Sequence, residues 1–255
     1  MVAMKTVVAS VLTLFIATAA AAQSLTVAAA SDLQTVLPEV AKRFEKETKI
    51  HVATTFGSSG NFFAQIQNGA PFDLFLSADV EYPGRLEDAG LAVKGSLTEY
   101  AVGRIVLWTK KDSGVNVSMG FGILASPRVR RIAIANPEHA PYGRAAVAAL
   151  EHENLYIELQ RKLVFGENIS QAAQFVQSGN ADAGILALSL ALSQPLKSAG
   201  TMYQIPDDWY RPLIQGGVIL ERSRQKETAK QFLAFLRQPE IARIFEQAGF
   251  TVVKK

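Results

Sequence analysis

Four times along this chain a short apolar run ends in a turn of small or polar residues, and apolar side chains at helical spacing follow. The first run is 25–30, then Ser31-Asp32, then Leu33, Val36, Leu37, Val40, Ala41 and Phe44. The second, 51–56, alternates and is β-branched; it enters Gly57-Ser58-Ser59-Gly60 and a helical stretch over 61–67 closed by Asn68-Gly69. The third, 131–135, enters a turn-rich loop over 136–143 and a helix over 144–151. The fourth, 163–165, passes through Gly166-Glu167-Asn168 to a helix over 170–177. Further strands are predicted at 73–78 and 183–188, and a helix at 80–89. Strand, helix, strand, helix with short connections specifies an α/β fold, a mostly parallel sheet flanked by helices.

Two long apolar strands, 100–109 and 213–220, bracket the second set of strands and helices. They could carry the chain from one lobe to another and back, leaving a ligand cleft between lobes. One large open sheet would read similarly. Two lobes are expected, the first from residues 23–103 plus 214–255 and the second from 104–213. The region 119–127 reads as weakly helical, and two helices, 226–237 and 239–247, end the chain.

The N-terminus has the form of a secretory signal peptide. Lys5 precedes an apolar run over 7–17, and small residues lead to Gln23, so residues 1–22 are expected to be removed after Ala22. The apolar part is shorter than the roughly 20 residues a spanning helix needs. No other stretch is long and apolar enough, so no membrane span is expected in the mature chain, which reads as soluble and exported. Removal of Lys5 leaves 25 basic against 23 acidic residues, a formal +2. The basic residues are scattered apart from Arg128, Arg130 and Arg131, which argues against nucleic acid. There are 0 cysteines, which excludes a disulfide, a thiolate metal site and a cysteine nucleophile.

The four junctions at Ser31, Ser59, Tyr142 and Ile169 are the candidate site. In open α/β sheets a ligand lies beyond the carboxyl ends of the strands, where helix N-termini point. There the backbone offers free N–H groups and a partial positive charge, which hold an oxyanion without a formal cation. The hydroxyls of Ser31, Ser59 and Tyr142 would add to them. Such a set suits a small, fully deprotonated tetrahedral dianion; an anion that keeps a proton also needs an acceptor, and none is evident in the four loops. Each residue also has a plainer reading. Ser31 is a good helix cap, with Asp32 favourable in the first turn, and Ser58 or Ser59 could equally be a cap. Tyr142 could be a half-buried aromatic. His139 reads as a loop-structuring side chain, Arg144 as facing solvent or a carboxylate, and Asp73 and Asp79 as caps and turn residues. A serine hydrolase could be written from Ser58 or Ser59 with His139 and an Asp, but the G-x-S-x-G spacing is absent. His51, His139 and His152 lack metal-ligand spacing. A non-enzyme is expected.

At these junctions the chain resembles the periplasmic molybdate-binding proteins of ABC importers, the ModA family. The resemblance is carried by "VAAASDL", "FGSSGNFFAQIQNGAPFDLFLSAD", "YAVGRIVLWT", "IANPEHAPYGRAA", "GENISQAAQFVQSGNADAGILAL" and "IFEQAGFTV", in the family's order and over nearly all of the mature chain. It implies a two-lobed type II periplasmic binding fold, a molybdate or tungstate ligand and no cofactor. It also implies a membrane permease with its cytoplasmic ATPase as partner, and a monomer. Ser31 matches the hydroxyl residue ending the first strand, with the backbone N–H of Asp32 beside it, and Ser59 matches the serine of the second junction. Ile169 matches an apolar residue that gives its backbone N–H. One branch of the family uses a tyrosine where Ala187 stands here; the chain is similar to the other branch, in which Tyr142 supplies the phenol. The runner-up function is a binder of another small anion or of an organic solute.

Overall fold

A computed structural model describes residues 24–252. The expected signal peptide over 1–22, its cleavage after Ala22, residue 23 and residues 253–255 lie outside the described residues. The chain runs β1 (Ser24–Ala30), α1 (Leu37–Thr48), β2 (His51–Gly57), α2 (Ser59–Gln67), β3 (Leu74–Ser77), α3 (Glu81–Asp88), β4 (Thr98–Gly103) and β5 (Ile105–Lys110). It continues with β6 (Ile132–Ala135), α4 (Pro141–His152), α5 (Tyr156–Leu159), β7 (Leu163–Gly166), α6 (Ile169–Gln177), β8 (Ala183–Ala187), α7 (Leu188–Ala191) and α8 (Leu196–Ala199). The last elements are β9 (Gly200–Gln204), β10 (Leu213–Ile219), α9 (Lys226–Leu236) and α10 (Pro239–Gln247).

The strands form two sheets built to one plan. The first has the order β2-β1-β3-β10-β4 and the second β7-β6-β8-β5-β9. In each, a central strand (β1 or β6) is parallel to both neighbours, and one further strand (β10, late in the chain, or β5, which precedes the rest of its sheet) enters antiparallel. This is the two-lobed type II arrangement. The run predicted as one strand over 100–109 is two: it breaks at Arg104, with β4 in the first sheet and β5 in the second. β9 escaped sequence reading because it is a largely exposed edge strand, with no apolar alternation to reveal it.

Local chemistry sets the helix starts. Pro38 stands in the first turn of α1 and Pro239 in that of α10, where a missing N–H costs nothing. The α1 end is closed by Lys49 in the left-handed region at φ 65°. Ser31 does not cap a helix as expected. Residues Ser31–Leu33 form a single 3-10 turn without a side-chain cap, and α1 begins only at Leu37. Pro38 moves the helix start past Ser31.

Each face of the first sheet has its own apolar layer. Leu37, Val40 and Phe44 of α1 meet Phe232 and Phe235 of α9 on one face, and Phe62, Phe63 and Leu86 cover the other. The second sheet is enclosed in one core around Trp108, Ile134 and Leu186. Because the parallel strands of both sheets end towards the cleft, the turns after β1, β2, β6 and β7 face one another across it. Phe44 is fully buried and meets Phe232 and Phe235 edge-on at 5.0 and 5.3 Å between ring centres. Phe44→Ala is expected to destabilise the protein by about 3–5 kcal/mol, read as a lowered urea midpoint.

Candidate functional site

The turns after four strands converge on one small cavity, lined among others by Ser31, Asp32, Ser58, Ser59, Tyr142 and Ile169. The first four belong to the lobe of β1 and β2, the last two to the lobe of β6 and β7. All five residues expected at the site (Ser31, Asp32, Ser59, Tyr142 and Ile169) therefore line one cavity, and all five are buried. A larger groove beside Lys94, Lys226 and Lys230 lies on a single lobe.

Three of the four junctions leave a donor free. Ser58 is the cap of α2, accepting the Asn61 N–H at 3.3 Å. That releases Ser59, whose Oγ accepts the Ala78 N–H at 3.0 Å and keeps its own proton to give. Ser31 Oγ makes no hydrogen bond to the described residues. At α6 the Asn168 side chain accepts the N–H groups of Ser170 and Gln171 and leaves that of Ile169 without a protein acceptor. The Ile169 side chain has no polar atom, so its part is its backbone.

The lobes are closed on each other by direct bonds. The Gly60 N–H donates to the His139 carbonyl at 2.8 Å, and Ser58 Oγ lies 2.9 Å from His139 Nδ1. Asn61 bonds Glu167 across the same rim. Ser189 Oγ donates to the Asp32 carbonyl at 2.8 Å. Arg144 Nη2 lies 2.5 Å from Asp79 Oδ2, so the guanidinium is held by a carboxylate and not turned to the cavity. Burial raises the Asp79 carboxyl above its ordinary range, against the Tyr82 N–H and Arg144, which lower it. His139 thus bridges the lobes, a role beyond the loop structuring expected of it. A hydrolytic triad does not form. Glu167 stands 3.9 Å from His139 Nε2, beyond hydrogen-bond reach, and Ser58 is occupied as a cap.

The expectation that the loops offer no acceptor is corrected by Asp32. Its carboxylate is fully buried at the cavity wall, and its Oδ2 accepts the Tyr142 hydroxyl at 3.0 Å. Burial is the main reason its pKa is pushed up to about 7; the Tyr142 bond and the nearby Asp32 N–H and Gln215 amide oppose that. Gln215 and Tyr100, which complete this buried cluster, were missed in the sequence. The available signal was a lone amide in the apolar strand Leu213–Ile219.

The profile of the bacterial extracellular solute-binding proteins matches residues 25–251. The molybdate-binding protein ModA of Azotobacter vinelandii is 39% identical over 235 residues, 92% of each chain. The solved structure of the periplasmic molybdate-binding protein of Azotobacter vinelandii superposes with a TM-score of 0.85 at 35% identity, covering 90% of this chain and 100% of that one. The sulfate-binding protein SubI of Mycobacterium tuberculosis H37Rv superposes with a TM-score of 0.76 at 15% identity over 91% of this chain and 88% of that one, a likeness of fold alone.

Closure leaves no room for a side chain at residue 60. A Cβ on Gly60 would stand 2.6 Å from the His139 carbonyl oxygen of the opposite lobe, whereas one on Gly84 would meet nothing within 4 Å. Gly60→Ala is therefore expected to hold the lobes apart, raising the radius of gyration measured by small-angle scattering. Gly84→Ala should leave it unchanged.

Proposed function

This chain belongs to the bacterial extracellular solute-binding proteins, in the ModA family, and from that premise we propose that it captures molybdate or tungstate in the cleft and hands it to an ABC importer. The observation that carries the reading is a small cavity, walled by both lobes and supplied with donors that carry no formal charge. Ser31 Oγ, Ser59 Oγ and the Asp32 and Ile169 N–H groups hold the oxygens of the ion, and Tyr142 adds its phenol. Helix N-termini contribute the positive field. A rigid ring of this kind selects by size, because a smaller sulfate or phosphate cannot reach every donor and leaves some unpaired. The small volume speaks against an organic solute, the runner-up.

The lobes are taken as residues 23–103 plus 214–255 and 104–213; the support is that β4 and β10 belong to one sheet and β5 to the other. Among the described residues no helix is long and apolar enough to cross a membrane. Delivery therefore calls for a membrane permease and its cytoplasmic ATPase, and a monomer suffices to present the closed cleft to them. A periplasmic location, with cleavage after Ala22, follows from the form of residues 1–22 and from the family. The protein acts by binding, without catalysis or a cofactor.

Calorimetric titration with molybdate, tungstate, sulfate and phosphate tests the reading; tighter binding of sulfate than of molybdate would contradict it. A hydrogen bond to a charged group contributes roughly 1.5–3 kcal/mol, so Ser59→Ala and Tyr142→Phe should each weaken molybdate binding by about one to two orders of magnitude. Replacing Ile169 by another apolar residue should cost little. Arg144→Ala should retain binding. If it abolishes binding while Tyr142→Phe does not change it, a cation holds the ion and the neutral ring is wrong.

A further inference from the structure

The Tyr142 hydroxyl has one proton, and in this structure it is given to Asp32, at 3.0 Å. A phenol engaged in that way turns only lone pairs to the cavity, and lone pairs repel an oxyanion. The other Asp32 oxygen, Oδ1, has no hydrogen-bond partner. The groups facing this carboxyl are Tyr142 from α4, Tyr100 from β4, Gln215 from β10 and its own backbone N–H, with Tyr210 behind Tyr142. None is a cation, and Asp32 forms no ion pair among the described residues. Burial first, and the Asp32 charge second, hold Tyr100 and Tyr142 well above the ordinary phenol range, so neither becomes a phenolate. A charged Asp32 beside a bound dianion would place three negative charges in one dry cavity without a counter-ion.

One proton on Asp32 resolves both difficulties. The neutral carboxyl donates to Tyr142 Oη, and the Tyr142 O–H turns to the ligand. We propose that Asp32 is a positioning residue of this site, protonated when the dianion is bound and relaying a hydrogen bond to it through Tyr142, so that a proton is taken up with each ion captured above neutral pH. The proposal rests on the oxyanion reading of the cavity. The proton comes from solvent or buffer to an Asp32 oxygen; no other covalent bond changes, and the Tyr142 hydrogen bond is redirected without transfer. The raised pKa of Asp32, to about 7, puts that proton within reach near neutrality, and the charge of the ligand raises it further. Binding favours the protonated form, so affinity is level below about pH 7 and falls about tenfold per unit above it, until the pKa of the complex is passed.

Calorimetry of the whole mature protein with sodium molybdate at pH 6 to 9, in paired buffers of different ionisation enthalpy, reads the protons directly. The expected uptake rises from about zero at pH 6 to about one at pH 8.5. In Asp32→Asn the side-chain amide donates to Tyr142 at every pH, so affinity should vary by less than about threefold over the range and exceed that of the unsubstituted protein at pH 9. Molybdate binding without proton uptake at pH 8.5, or an unaltered pH slope in Asp32→Asn, would overturn the proposal while leaving the oxyanion function standing. No molybdate binding at any pH would sink the functional reading and the proposal with it. The uptake measurement needs no substitution, so it decides even if Asp32→Asn fails to fold.

Discussion

The hydrogen bond from Tyr142 to Asp32 joins residues 110 apart in sequence and belongs to both lobes at once. It lies at the floor of the cleft, against Gly103, the last residue before the chain leaves the first sheet. A side chain at Gly103 would collide with the Tyr142 hydroxyl, so the crossing strand must be bare at that point for the phenol to reach across. With this contact made, α4 is seated, the Tyr142 ring walls the cavity, and the rim contacts between Gly60 and His139 and between Arg144 and Asp79 fall into place above it. The bond ties the two lobes together through a single proton, that of the Tyr142 hydroxyl.

A site that holds an anion without a cation gains selectivity from being rigid and dry. A lysine or arginine in the cavity would attract any anion of the right charge, and its flexible stem would adapt to several sizes. Neutral donors fixed by backbone geometry cannot adapt, so the shape of the cavity decides which ion satisfies them all. The structure keeps Arg144 away from the cavity by pairing it with Asp79, whose burial is tolerated because Arg144, the Tyr82 N–H and Ser77 all serve it. The likeness of fold to a sulfate-binding protein at 15% identity shows that the scaffold alone does not choose the ion; side chains and loop termini at the four junctions must.

The parts of this architecture that depend on local pattern were legible in the sequence. Strand and helix periods and the turns Gly57-Ser58-Ser59-Gly60 and Gly166-Glu167-Asn168 are local features, and each of the four junctions they mark lines the cavity. Ser31 misled as a cap, because Pro38 several residues later sets where the helix can begin. The split of the run over 100–109 at Arg104 was not visible, since both halves are apolar and only the assignment of each half to a different sheet separates them. The Asp32 carboxylate was read only as a neighbour of a backbone donor. Its burial depends on Tyr142, Gln215 and Tyr100, which come from three distant segments, and nothing near Asp32 in the chain announces them.

The central claim is that neutral donors from both lobes hold the ion in this cavity. A crystal structure of the protein grown with tungstate tests it most directly, because tungsten scatters anomalously and its position is found without assumption. The account predicts one tungsten peak in the cavity, with its oxygens about 2.7–3.2 Å from Ser31 Oγ, Ser59 Oγ and the Ile169 nitrogen, and with Arg144 still on Asp79. A peak outside the cavity, or an Arg144 guanidinium turned from Asp79 to the ion, would contradict it.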